Sequence, residues 1–314
     1  MSLPTLSAKN STTVRSFIIR HGGALLSRLA IRLAPRWTAR QAVRRFLTPP
    51  QRTVAPPHDF PAPCRQQLLN AGDQRIACRV IGPAGAPALI LSHGWGGHGG
   101  QWQPFVAPLL AAGYQLWIPE HPAHGDSPGE QSSLPAFIAS LEAAATAIAA
   151  CGVRLAGLIG HSLGASAAAL ALYGRPLPGA DADTRLLLLA PAASLLALSR
   201  QYAELYGLPE TLRAAVQFRL EQQFATPWRR FELAELPVGP HPALLIHDRS
   251  DRALAVGHTL HIGQHWPQAR ILLTDGLGHQ RLLQAAPVIA AVLAYLRGEK
   301  IGTQATPASV SRCY

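Results

Sequence analysis

Acidic residues are scarce in this chain. The 314 residues hold 17 Asp+Glu against 28 Lys+Arg, and residues 1–58 hold no acid at all. Ten of the net +11 charges sit in that segment, on Lys9, Arg15, Arg20, Arg28, Arg32, Arg36, Arg40, Arg44, Arg45 and Arg52. The remainder is nearly neutral, so no basic face is expected on the folded part and no nucleic-acid partner is implied. Charged residues make up only 14% of the chain and apolar ones 48%, which excludes a disordered chain of low hydrophobicity. Cysteines are few. Cys64, Cys78, Cys151 and Cys313 are irregularly spaced and form no CxxC pair, so neither a metal nor a dithiol redox site is expected. Buried or tail thiols in a reducing compartment fit this usage.

Long apolar runs are also missing. Residues 16–34 are interrupted by Arg20, Arg28 and Arg32, which excludes a membrane-spanning helix and spoils a secretory signal core. Arg44-Arg45-Phe46-Leu47 has the paired arginines of an export signal, but Pro49-Pro50 follows where an apolar stretch belongs. An Arg-rich, acid-free leader also fits an organelle transit peptide. The location otherwise expected is cytoplasmic, or peripheral to a membrane.

What is present divides the chain. Residues 14–47 read as helical, broken by Gly22-Gly23 and Pro35. Arg28, Arg32, Arg36, Arg40 and Arg44 form one stripe at i+4, beside an apolar face of Val14, Ile18, Leu25, Leu29 and Leu33. Such an arm suits attachment to an anionic membrane, or packing with its arginines solvated. Residues 48–63 are a Pro-rich linker. We therefore expect an arm and linker over 1–58, a main domain over 59–298 and a tail over 299–314.

In the main domain, 64–69 and 75–81 read as a hairpin around Asn70-Ala71-Gly72-Asp73. Continuous apolar strands follow at 88–93, 114–119, 154–159, 185–190, 243–247 and 270–273. Helices are expected at 134–150, 165–172 and 281–296. Apolar runs without alternation belong to strands buried on both faces, and strand–helix alternation gives a doubly wound, mostly parallel α/β sheet. Residues 192–240 break the rhythm with helical, strand-free sequence that includes Tyr202, Tyr206, Phe218, Phe224, Trp228 and Phe231. They read as a short helical lid, or as an excursion whose aromatics fill a small core of its own.

Gly160-His161-Ser162-Leu163-Gly164 is G-x-S-x-G between an apolar strand and a helix of small residues, the setting of a nucleophile elbow. Ser162 is the candidate nucleophile. His93-Gly94-Trp95-Gly96-Gly97-His98-Gly99-Gly100 ends the 88–93 strand in a loop whose N–H groups are free to point into a site. It lacks the Lys-Ser/Thr and helix context of a phosphate loop. The N–H groups of Trp95 and Leu163 are the candidate oxyanion donors. His93, Gly94 and His161 are candidate substrate contacts. A serine alcohol needs a base, and the base needs an orienting acid. His279, after the last strand in Gly276-Leu277-Gly278-His279, is the candidate base. Asp248 and Asp251 both follow the 243–247 strand. Asp251, at the far end of the turn, is the better orienter, and Asp248 the better loop brace.

Over roughly residues 64–298 the chain resembles the α/β-hydrolase superfamily, of the esterase-like serine hydrolase type. The resemblance rests on HGWGG at 93–97, GHSLG at 160–164, HDRSD at 247–251, GLGH at 276–279 and Glu120-His121-Pro122-Ala123-His124-Gly125-Asp126-Ser127. The last is similar to a D-x-P-G-H-G-x-S stretch, with Glu120 for Asp and Ala123 for Gly. The resemblance implies Ser162, Asp251 and His279 as a triad, Trp95 and Leu163 as an oxyanion hole, and no cofactor. The arm ending in Phe46-Leu47-Thr48-Pro49 looks like a leader of some bacterial hydrolases. The implied function is hydrolysis of an ester-type acyl bond in a small molecule. Alternatives are a thioesterase or acyltransferase, and a non-catalytic binding protein docked on a membrane or partner through residues 14–47.

Overall fold

The computed structural model describes residues 33–50, 60–61 and 63–299. Most of the 14–47 arm and all of the 299–314 tail except Glu299 therefore lie outside the described residues. The elements are α1 (Pro35–Leu47), β1 (Cys64–Ala71), β2 (Gln74–Ile81), β3 (Ala88–Ser92), α2 (Gln103–Ala111), β4 (Gln115–Pro119), α3 (Leu134–Ala150), β5 (Leu155–His161) and α4 (Leu163–Gly174). They continue with β6 (Arg185–Leu189), α5 (Leu195–Tyr206), α6 (Glu210–Phe224), β7 (Ala243–Asp248), α7 (Gly257–His265), β8 (Ala269–Thr274), the single turn α8 (Gly278–Arg281) and α9 (Ala286–Leu296).

Eight strands form one sheet in the order β1-β2-β4-β3-β5-β6-β7-β8. The β1–β2 and β2–β4 pairs are antiparallel, and every pair from β4–β3 to β7–β8 is parallel. Successive strand side chains point to opposite faces. On one face Leu89, Leu116, Ile159, Leu187 and Ile246 pack with Phe105 and Leu109 of α2 and Val288 and Val292 of α9. Residues of the other parity, such as Ile90, Leu158, Leu188 and Leu245, are just as buried. That double burial is why these strands read as unbroken apolar runs.

Several expectations needed correction. α2 and α7 were not anticipated: α2 carries Pro104 and Pro108, and α7 is rich in His and Gly, so neither shows a clean helical period. The single helix expected over 281–296 is interrupted after α8, because Pro287 suits only the first turn of a helix and α9 starts there. Of the described cysteines, Cys64 and Cys151 are exposed and Cys78 is buried, whereas buried or tail thiols were expected; Cys313 lies outside the described residues.

The chain divides into two compact units. One holds α1 up to Phe46 with residues 195–229, and the other holds 47–194 and the residues from Arg230 onward. In the first, the Phe46 ring meets Tyr202 edge-on at 5.5 Å and stacks on Trp228 at 6.1 Å. Aromatics of the helical insertion thus close a small core with a residue from the arm. Among the described residues no helix is long and apolar enough to cross a membrane.

Candidate active site

Ser162 joins β5 to α4 with φ 56° and ψ −125°. A side chain rarely adopts that conformation, which costs about 1–3 kcal/mol and must be held by its surroundings. Two glycines hold it. A Cβ on Gly160 would overlap Ala165, and one on Gly164 would overlap the backbone carbonyls of Ser92 and His93. The bend is therefore pressed directly against β3 and the loop beyond it. On that loop, a Cβ on Gly94 would lie 2.9 Å from Ser162 Cβ. The Ser162 N–H donates to Leu189 O at 2.9 Å. The N–H groups of Leu163, at the open end of α4, and of Trp95 take no partner among the described residues.

His279 Nδ1 lies 2.6 Å from Asp251 Oδ2. Asp251 Oδ1 accepts from the N–H groups of Ala253 and Leu254 at 2.8 and 2.9 Å. His247 stands behind: its Nε2 is 3.4 Å from Asp251 Oδ2 and donates to Leu254 O, while Nδ1 accepts from Thr259 Oγ1 at 2.6 Å. Burial alone would raise the Asp251 carboxyl. Hydrogen bonds from His247, His279 and Leu254 outweigh it and hold the group well below the usual carboxylate range. Asp251 is therefore a buried carboxylate anion.

Asp248 does something else. Oδ1 accepts from the N–H groups of Ser250 and Gly278, and Oδ2 from Leu277 N–H and Thr274 Oγ1, all within 3.0 Å. It ties the end of β7 to the loop that carries His279. Asp275 points elsewhere, 3.6 Å from Arg249 and largely exposed.

His161 links the two halves of the site. It is buried, and its Nε2 donates to the His279 carbonyl at 3.0 Å. Burial, with His279 close by, pushes its pKa down to about 3, so the ring is neutral. His93 is fully buried, with Nδ1 on Gly94 O at 2.9 Å and Nε2 accepting from His121 N–H at 3.2 Å. Both rings are buried, His161 against the His279 backbone and His93 against the backbone of the Trp95 loop, and a Cβ on Gly94 would lie 2.9 Å from Ser162 Cβ.

Sequence reasoning missed that loop's other supports. Glu120 takes Gly99 N–H at 3.0 Å and Arg79 Nη1 at 3.0 Å, and Arg79 also pairs with Asp126. His124 Nε2 accepts from Gly96 N–H at 3.0 Å, and the Trp95 and Phe137 rings stack at 6.3 Å. The Glu120–Ser127 stretch was legible as a segment of the resemblance, but not which residues of the 93–100 loop it would hold. Among the described residues no cluster of three or more His, Cys, Asp or Glu is placed to hold a metal ion.

The structure thus holds a buried Asp–His pair in the loops after β7 and β8 and a serine on a strained elbow after β5. The model of the alpha/beta hydrolase family matches residues 89–292. The chain belongs to that family and is an enzyme of its ester-hydrolysing class. It is 30% identical over 241 residues to a pimeloyl-[acyl-carrier protein] methyl ester esterase of Xanthomonas campestris, covering 66% of this chain and 93% of that protein. It is 29% identical over 133 residues to human monoglyceride lipase, covering 40% of this chain and 43% of the lipase. Among solved structures, an esterase of Pyrococcus furiosus superposes with TM-score 0.58 at 20% identity, covering 80% of this chain and 99% of that one. A bacterial membrane phospholipase A superposes with TM-score 0.54 at 20% identity, covering 91% of this chain and 95% of that one.

Proposed function

We propose that the protein is a serine hydrolase that cleaves an ester-type acyl bond through an acyl-enzyme on Ser162. His279 acts as base and Asp251 as its orienting acid. The observation that carries this reading is the 2.6 Å bond between Asp251 Oδ2 and His279 Nδ1, made by a buried anion. A carboxylate can only accept, so the imidazole proton sits on Nδ1 and Nε2 keeps its lone pair. Nε2 takes the Ser162 proton as Oγ attacks the acyl carbon. Asp251 stabilises the imidazolium that forms, without taking its proton. The oxyanion is received by the N–H groups of Trp95 and Leu163, each worth about 3–4 kcal/mol in the transition state. The imidazolium returns its proton to the leaving alcohol. Water then repeats the cycle on the acyl-enzyme.

A fluorophosphonate probe tests this. Wild-type protein should gain one adduct by intact mass, and Ser162→Ala none, with loss of p-nitrophenyl acetate turnover and an unchanged circular dichroism spectrum. Turnover that survives in Ser162→Ala would refute the reading. A folded wild type that takes no label would instead favour a binding protein of the same fold.

A second reading has one observation in its favour. The Xanthomonas relative acts on an ester whose acyl group is held by an acyl carrier protein. A panel of methyl ester, acyl-CoA and acyl-carrier donors, with water or an alcohol as acceptor, separates an esterase from a thioesterase or acyltransferase.

A further inference from the structure

Six large apolar side chains are exposed among the described residues, and five of them lie in the unit of α1, α5 and α6. Three concern us: Leu33 at 77% exposure, Trp37 at 59% and Phe218 at 62%. Leu33 lies just before α1 and Trp37 in its first turn. Phe218 lies on α6, across a groove of about 700 Å³ that also holds Arg36 and Arg40 of α1 and Arg219 of α6. The groove is therefore basic, with the exposed Phe218 ring on its wall and the exposed Leu33 and Trp37 in or next to the first turn of the helix that supplies its other wall.

No described carboxylate neutralises it. α1 contains no acid. The carboxylates of α6 are spent elsewhere: Glu210 on Arg213, and Glu221 on Trp228 N–H and Gln217. Arg36, Arg40 and Arg219 form no ion pair with a described residue. Exposed apolar surface carries a free-energy cost in water that an interface would relieve, and arginines without a carboxylate partner remain available to pair with an anion.

We propose that this face docks on an anionic lipid surface, with Trp37, Phe218 and Leu33 entering the headgroup–acyl boundary and the three arginines pairing with lipid phosphates. Charge complementarity selects an anionic partner. The apolar residues select lipid among anionic partners, because a leucine offers nothing to a phosphate backbone or a base stack, whereas aromatic and aliphatic residues beside arginines suit a membrane interface. Each arginine near such a surface contributes about fivefold in partitioning, so three contribute about a hundredfold.

Flotation of the full chain tests this, with vesicles of phosphatidylcholine alone and with 30% phosphatidylglycerol. The expected result is retention by the anionic vesicles only, weakening as salt rises from 50 to 500 mM. The triple variant Arg36→Glu/Arg40→Glu/Arg219→Glu should lose about a hundredfold in partitioning or more. Trp37→Ser/Phe218→Ser should lose about tenfold and keep the salt dependence. Both variants keep the other basic residues of the arm, so they report on this face. Turnover of p-nitrophenyl acetate should be unchanged in both, which checks folding and keeps the result separate from catalysis at Ser162. Equal retention by neutral vesicles, no retention by either kind, or variants that float like wild type would overturn the proposal. So would capture by single-stranded RNA without capture by vesicles, which would mark a nucleic-acid surface instead.

Discussion

Asp248 accepts hydrogen bonds from four partners, all in its own loop or the next, while Asp251 accepts from His279 and from two N–H groups of its own turn. The two predict opposite phenotypes. In Asp251→Asn the amide can donate to Nδ1, which moves the imidazole proton to Nε2, where it cannot accept from Ser162. Ester kcat should fall roughly ten-thousandfold with little change in the urea midpoint. In Asp248→Asn an NH2 group faces donors it cannot satisfy. Stability should fall by about 1–3 kcal/mol, with a much smaller drop in kcat. Reversal of the two phenotypes would make Asp248 the orienting acid. Choosing between them from sequence was possible because each stands at a fixed step beyond an apolar strand. His247, Thr259 and Glu120 carried no such mark. The bonds of His247 to Thr259 and of Glu120 to Arg79 join residues 12 and 41 apart, a separation no local spacing shows.

The strand–elbow–helix element is built on absences of side chain. The small residues of α4, Ala165 to Ala169 among them, let it lie directly on the sheet, and nearly all are buried. Gly164→Ala should therefore be costly, because its new methyl meets the carbonyl oxygens of Ser92 and His93 rather than a movable side chain. Overpacking of that kind costs about 1–3 kcal/mol. It should also tilt the Ser162 turn against Gly94. Thermal melting and fluorophosphonate labelling rate should fall together, and a Gly164→Ala protein that labels at the wild-type rate would contradict the tight apposition. Glycine spacing around a serine, read between an apolar strand and a run of alanines, displays this element openly. α2 stayed hidden because Pro104 and Pro108 sit where its own period should be read. α1 was visible as a basic stripe, but not its stacking of Phe46 on Trp228, since nothing local links an arm to an insertion 180 residues later.

At the scale of the whole molecule, buried neutral histidines set the response to acid. Burial, the leading cause in each case, pushes His161 down to about 3 and His258 to about 4, and holds His121 well below the usual range. In the unfolded chain each titrates near 6.5. Below that pH the unfolded state binds protons that the native state refuses, so stability falls as pH falls. Each such group contributes a slope of up to about 1.4 kcal/mol per pH unit. Asp251 and Glu120, held low in the fold, work in the same direction. Their loss begins only near the ordinary carboxylate range, at about pH 4. Between pH 6.5 and 4.5 the histidines therefore dominate. Urea unfolding at pH 7.5, 6.5, 5.5 and 4.5 should give a nearly level free energy down to 6.5 and a steep decline beneath it. His258→Gln removes one titrating ring, and should flatten the lower limb by up to about 1.4 kcal/mol per pH unit while lowering stability at pH 7.5 by disturbing the bond to Ala193 N–H. A wild-type free energy that stays level to pH 4.5 would mean that these rings take up protons in the folded state, and that the interior around them opens to water.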